Sequence, residues 1–242
     1  MTAIPLIPDG LESLARFCVM TVRPLAALAL LPPLAGASLP WRVRLGLAAA
    51  LAIFSLGHAP AALALDGATL AGEVLAGLVI GLGVAAAFAA ATMAGEVVGQ
   101  MLGLGFAAFA GPAGGPTAIA GLYAMVMWLA LLSTGAEGAL FAQMAGGFGI
   151  VAPGALLDAS GTLAATLGLQ AFAGAARLAL PLVALLLLGN LLLAIVTRSA
   201  PQIGGLAIGP AGLLLLIMLA LPLVFDDLVL RAGTILAGTL VR

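Results

Sequence analysis

The 242-residue sequence has no lysine, one histidine, one cysteine and one tyrosine. Charged residues make up only 7% of it, 9 acids against 8 bases, and every base is an arginine. A soluble domain of ordinary composition carries roughly 25% charged residues, so this chain could not clothe a water-facing surface. A net charge of -1 supplies no basic stripe for a nucleic acid. Cys18 stands alone, which excludes an intramolecular disulfide and a Cys-rich metal site; the apolar stretch around it predicts that it packs. His58, in the loop Gly57-His58-Ala59-Pro60, has no nucleophile placed beside it, and no G-x-S-x-G turn occurs. One His, one Cys and scattered acids form no metal-ligand cluster. Without lysine there is no phosphate-binding G-x-x-x-x-G-K loop. The chain reads as a non-enzyme with no catalytic residue, no metal site and no cofactor.

What is present is apolar. Hydrophobic residues make up 64% of the chain, and the mean hydropathy is +1.31. Disorder is thereby excluded. A membrane protein, or a hydrophobic subunit inside an assembly, remains. The few charges leave long neutral stretches, the cleanest at 74–95, 178–197 and 205–225. Each is near the roughly 20 apolar residues that cross a bilayer as a helix. Shorter or charge-bearing candidates lie at 13–31, 45–57 and 117–134. The Ala- and Leu-rich runs show no period of two, so strands are not expected and the fold class is all-α. Threading six alternating spans puts Arg42, Arg44 and Arg198 on one side and Arg177, Arg231 and Arg242 on the other. That tie gives no orientation and points away from a simple alternating bundle. Asp9 and Glu12 precede the first base, Arg16, so the N-terminus does not read as a signal peptide and is expected to stay in the mature protein.

Glycine and proline are abundant, 33 and 14 residues, and cluster at 32–40, 111–116, 146–154 and 201–212. Irregular backbone in lipid must be buried in protein or line a cavity. Ala71-Gly72-Glu73-Val74 recurs as Ala94-Gly95-Glu96-Val97, which reads as two glutamates bracketing one span at its polar edges. In the second copy Gly95, Gly99 and Gly103 fall four apart, predicting a smooth stripe against which a neighbouring backbone can pack. Glu96 and Gln100, also four apart, predict a buried polar pair. The helix should stop at Gly111-Pro112, leaving a loop with Phe106, Phe109, Gly114, Gly115 and Pro116. That loop is either an ordinary turn or one that lines or closes a pore. Arg198 reads as a cation at a helix C-terminus and Pro201 as the stop, followed by Gln202. Asn190, alone in its apolar run, is expected to hydrogen-bond across helices, and Pro181 is expected to kink that run. Trp41, Arg42 and Arg44 suit a membrane interface or a subunit contact.

Read in order, these features resemble the FliR family of flagellar type III export-apparatus membrane proteins and their injectisome relatives. The resemblance runs from Arg23 through Pro32-Pro33 and Pro40-Trp41-Arg42-Val43-Arg44-Leu45-Gly46. It continues through Gly95-Glu96 and the Gly-x-x-Phe-Ala-x-Phe pattern of Gly103 to Phe109, and ends at Arg198-x-Ala-Pro-Gln. Where FliR-like chains carry Asp-Pro after the second phenylalanine, this one has Gly111-Pro112. The resemblance implies a subunit of an export gate for unfolded proteins in the bacterial inner membrane, at the flagellar basal body. It implies FliP-like and FliQ-like partner subunits, with FlhB-like and FlhA-like export proteins and membrane lipid nearby. It also implies a FliP-like region over 1–157, a FliQ-like helical hairpin over 158–242, and a plug loop at 106–116. A secondary transporter for a small solute is the alternative, resting on Glu96, Gln100 and the broken helices.

Overall fold

The structure is a computed structural model, and it describes residues 10–32, 40–56, 66–103, 117–146, 160–199 and 205–240. Every regular element among them is an α-helix: α1 Gly10–Ala29, α2 Trp41–Leu56, α3 Gly67–Met101, α4 Ala118–Ser133, α5 Ala136–Ala145, α6 Ser160–Ser199 and α7 Gly205–Leu240. The all-α class expected from composition is the one observed. Three helical stretches are long and apolar enough to cross a bilayer, Gly67–Met101, Thr162–Ser199 and Ala211–Thr239; α4 and α5 supply a fourth only as a broken pair.

The helices outrun the spans expected from the neutral stretches. The 40-residue α6 passes straight through Arg177 and Pro181. Arg177 sits on an exposed face, so the helix continues past it without burying the charge. In α7, Asp227 and Arg231 pair one turn apart at 2.6 Å on a half-exposed surface, which makes two charges a helix-compatible unit. In the opposite direction, α2 has 16 residues, about 24 Å of helix, and is shorter than a hydrocarbon core of roughly 30 Å.

Two compact units divide the chain, Met1–Ala85 with Glu137–Leu167, and Ala86–Ala136 with Gly168–Arg242. In the first, α1 packs along α2, and Val19, Met20 and Ala52 form a small core with Phe17 against it. The buried residues of α2 are Ala48, Ala52 and Ser55, one side of the helix. The start of α3 presses on α1 through glycines. A side chain at Gly77 would overlap the Arg23 carbonyl oxygen, and one at Gly81 would reach the Ala27 oxygen at 2.7 Å.

In the second unit the latter part of α3 buries Ala87, Phe88, Ala90, Ala91, Ala94 and Val98. Phe88 and Trp128 stack tilted, centroids 4.8 Å apart. The buried positions of α4 (Ala120, Tyr123, Val126, Met127, Ala130 and Leu131) recur every three or four residues, giving a face toward the core. Helix α6 contributes Leu178, Leu182 and Leu186, and α7 contributes Ile217, Leu228, Ala232 and Leu236. Gly189 of α6 lets Leu213 and Leu216 of α7 approach, since a Cβ there would lie 2.9 and 2.7 Å from their methyl groups. Large apolar side chains also cover the outer faces of α6 and α7; Leu223 is 87% exposed and Met218 72%.

Candidate functional site

The residues singled out around 95–103 gather where α3 ends and α4 begins. Gly95 faces the first turn of α4: a Cβ would lie 2.8 Å from the Ala120 amide nitrogen and 2.9 Å from the Ile119 carbonyl oxygen. Gly99, one turn on, faces Thr117, where a Cβ would lie 2.9 Å from Oγ1 and 3.3 Å from Cβ. Both positions require glycine for this approach. Gly103 does not continue the stripe. Helix α3 stops at Met101, well before Gly111-Pro112, and Gly103 follows at φ +76 with open space around it. Its N–H donates to the Gln100 carbonyl at 3.0 Å while Leu102 N–H donates to Val98 at 3.2 Å. Gly103 is thus the left-handed residue that ends the helix, a conformation glycine adopts without steric cost.

Glu96 and Gln100 are not a buried pair. Gln100 is exposed and Glu96 half-buried. The Glu96 carboxylate accepts a hydrogen bond from the Thr117 backbone N–H at 2.8 Å. Thr117 is itself the N-cap of α4, accepting from Ala120 N–H through Oγ1 at 3.2 Å, and it is buried. An anionic oxygen at a helix N-terminus meets both unpaired N–H groups and the positive end of the helix dipole. The carboxylate therefore holds the start of α4 to the end of α3. Phe106, Phe109, Gly111, Pro112, Gly114, Gly115 and Pro116 all lie outside the described residues, between those two fixed ends.

The first copy of the repeat does something similar with a different partner. Glu73 is not at a polar edge. It is 2% exposed and pairs with Arg23, 4% exposed, through Arg23 Nε to Glu73 Oε2 at 2.6 Å and Nη2 to Oε1 at 3.1 Å. Arg23 Nη1 also donates to the Gly146 carbonyl just beyond α5. One guanidinium thus joins α1, α3 and the end of α5. The spacing of charges along the chain did not reveal this pair. The available signal was an acid and a base each stranded in an apolar helix, where charges are kept only when paired.

Arg44 donates to the Ala29 carbonyl at 2.8 Å, satisfying a free carbonyl at the end of α1. Arg42 and Trp41 are exposed. Arg198 stands in the last turn of α6, exposed, where the dipole favours a cation; Pro201 and Gln202, like His58, lie outside the described residues. Cys18 is exposed rather than packed. Asn190 is exposed too, among outward-facing leucines. Tyr123 donates its hydroxyl to the Leu178 carbonyl at 3.2 Å, three residues before Pro181. Arg231 reaches the Arg177 carbonyl at 3.5 Å. That carbonyl has no N–H to receive from Pro181, four residues on. Among the described residues no three His, Cys, Asp or Glu side chains gather as metal ligands.

Residues 14–237 match the sequence profile of the bacterial export proteins, family 1. The chain belongs to that family. It is thus a bacterial export-apparatus protein with helices long and apolar enough to cross a membrane. The match spans both Glu-bearing halves of α3, the α4 N-terminus and all of α6. Comparison with curated proteins gives no match.

Proposed function

We propose that the chain is a core subunit of a type III protein export gate, of the flagellar kind, in the bacterial inner membrane, and that it helps to form and close the channel for unfolded substrates. The reading rests on the family match over 14–237 together with the ordered motifs of the sequence. FliP-like and FliQ-like subunits are its direct partners, with FlhB-like and FlhA-like proteins beside them. Residues 1–157 take the FliP-like part and 158–242 the FliQ-like hairpin, which is supported by two long apolar helices in contact at Gly189. No bond is made or broken by this subunit; its work is mechanical.

In this reading 106–116 is the plug. Phe106 and Phe109 supply bulk that keeps ions out, and glycines 111, 114 and 115 let the segment rearrange at low steric cost. Support comes from its flanks: the chain leaves α3 at a fixed glycine turn and enters α4 at a capped, hydrogen-bonded threonine. A solute transporter would need Glu96 available to an ion or substrate, whereas its carboxylate is engaged with the α4 backbone. Deleting 106–116 is expected to leave the assembled complex intact and make vesicles that contain it leak ions. Unchanged conductance in an assembled deletion variant would refute the plug assignment.

A further inference from the structure

Between Arg177 and Arg198, both exposed, α6 carries no charge over 178–197, about 30 Å of helix. Apart from Thr197 at its end, Asn190 is the only polar side chain of that stretch. It stands on an exposed face, and among the described residues its amide makes no hydrogen bond. Its polar neighbours on α6 behave differently. Thr197 Oγ1 donates to the Ala194 carbonyl at 3.1 Å, and Ser199 Oγ to the Ile195 and Val196 carbonyls at 3.1 and 3.0 Å. Gly189, next to Asn190, faces α7, but the α7 side chains at that level are Leu213 and Leu216, which offer an amide nothing. Leu187, Leu188, Leu191 and Leu192 surround it, each more than half exposed. Asn190 lies eight residues from Arg198 and thirteen from Arg177, so about 12 and 20 Å from the two charged ends. A short amide cannot reach back to water over that distance as a long arginine side chain does.

We infer that the Asn190 face of α6 is a contact between subunits, and that its occupant is an apolar helix of another gate subunit that brings an amide or hydroxyl side chain to the depth of Asn190. The source of that helix rests on the export-gate reading above. Lipid is the wrong occupant, because acyl chains hold no donor or acceptor and an amide against them stays unsatisfied. A helix with apolar side chains alone leaves the same groups unpaired. Asn190 has two N–H donors and a carbonyl acceptor, so Asn, Gln, Ser or Thr can pair with it in either direction. Ala194, one turn on and exposed, leaves room for a neighbouring backbone to approach. The leucines supply contact area that any apolar surface would share. The amide is what fixes depth and rotation, as a single polar residue in an apolar seam fixes register.

The test uses the full chain, co-expressed with FliP-like and FliQ-like subunits and kept in native membranes. A photo-crosslinking amino acid is placed at Leu187 and, separately, at Leu191, which flank Asn190 and leave its amide in place. The expected product joins this chain to another subunit. Peptide mass spectrometry should place the joined residue within one helical turn of an Asn, Gln, Ser or Thr in an apolar helix. Adducts to lipid alone, to a second copy of this chain, to another segment of this chain, or to a partner helix without such a side chain overturn the inference and spare the gate reading. Absence of any complex from the unsubstituted chains overturns both. Asn190→Leu then replaces the amide by an apolar side chain. The ratio of dissociated to intact complex in a denaturing detergent should rise about threefold, the effect of one interhelical hydrogen bond of average strength. Asn190→Gln keeps an amide and should stay close to the unsubstituted chain. Changing the partner's polar side chain to Leu in the Asn190→Leu background should add little further loss. An Asn190→Leu complex as resistant as the original overturns the hydrogen bond. Should Asn190→Leu yield no complex, recovery with Asn190→Gln supports the inference, and failure of both variants overturns it.

Discussion

At the scale of single residues, the Arg23–Glu73 pair is the feature with the largest energetic consequence. Two charges buried to this degree are tolerated because they pair with each other, through an ion-pair contact and a hydrogen bond, while the guanidinium donates a second hydrogen bond to the Gly146 carbonyl. Removing one partner strands the other in an apolar interior. Glu73→Ala or Arg23→Ala should each cost about 3–5 kcal/mol, and Arg23→Met with Glu73→Leu should cost much less than either. Thermal unfolding of the purified complex measures this; additive losses in the double variant would show that the charges are not coupled. Asp66 offers a smaller and cleaner case outside the membrane-length helices. Its hydrogen bonds with Thr69, at 2.8 Å to the backbone N–H, hold its carboxyl below the usual range. A depressed carboxyl stabilises the folded form above its unfolded value of 3.8, and that contribution disappears as pH falls through the lower folded value. The protection of the Thr69 amide, its exchange rate relative to the intrinsic rate at the same pH, should therefore fall on acidification in the native chain, and Asp66→Asn should flatten that pH dependence. The sequence did not single out Asp66 or Thr69. It showed Arg23 and Glu73 as separate charges because a contact 50 residues apart leaves no local periodicity.

At the scale of elements, glycine position decides how closely helices approach. Gly77, Gly81, Gly95 and Gly99 all lie on α3 where a neighbour's backbone or side chain is within reach of an added Cβ. Gly99→Leu should displace Thr117 and abolish recovery of the complex, while Gly121→Leu, which meets open space, should be far milder. Co-purification of tagged partners distinguishes the two. Among the described helices, the existence of all but the ten-residue α5 was legible from hydrophobic runs and the absence of strand alternation. Their ends were less so. Gly103 ends α3 because a left-handed glycine outweighs the continuing apolar pattern. Arg177 and Pro181 do not end α6: the arginine stays exposed, and side chains from α7 and α4 take the carbonyls of Arg177 and Leu178. Charge spacing reads such residues as boundaries; a long helix whose charges point outward does not obey it. Glu96 was visible as a notable acid, but its partner is a backbone N–H 21 residues away, which no side-chain pattern encodes.

At the scale of the whole molecule, the composition and ordered motifs gave the class and the family likeness without the fold. Partners entered only as what the family likeness implies, because a partner is recognised by a folded surface and leaves no periodicity in one chain. Native mass spectrometry after co-expression with FliP-like and FliQ-like proteins from the same genome should yield one complex containing all three. Isolation of this chain alone as a stable monomer or homo-oligomer would remove the gate reading. Along α6 and α7, Leu187, Leu188, Leu191, Leu192, Leu215 and Leu219 all face outward at more than half exposure. Side chains of this kind, in this number, need lipid or an apolar surface against them, so the chain transferred from detergent into plain buffer should precipitate.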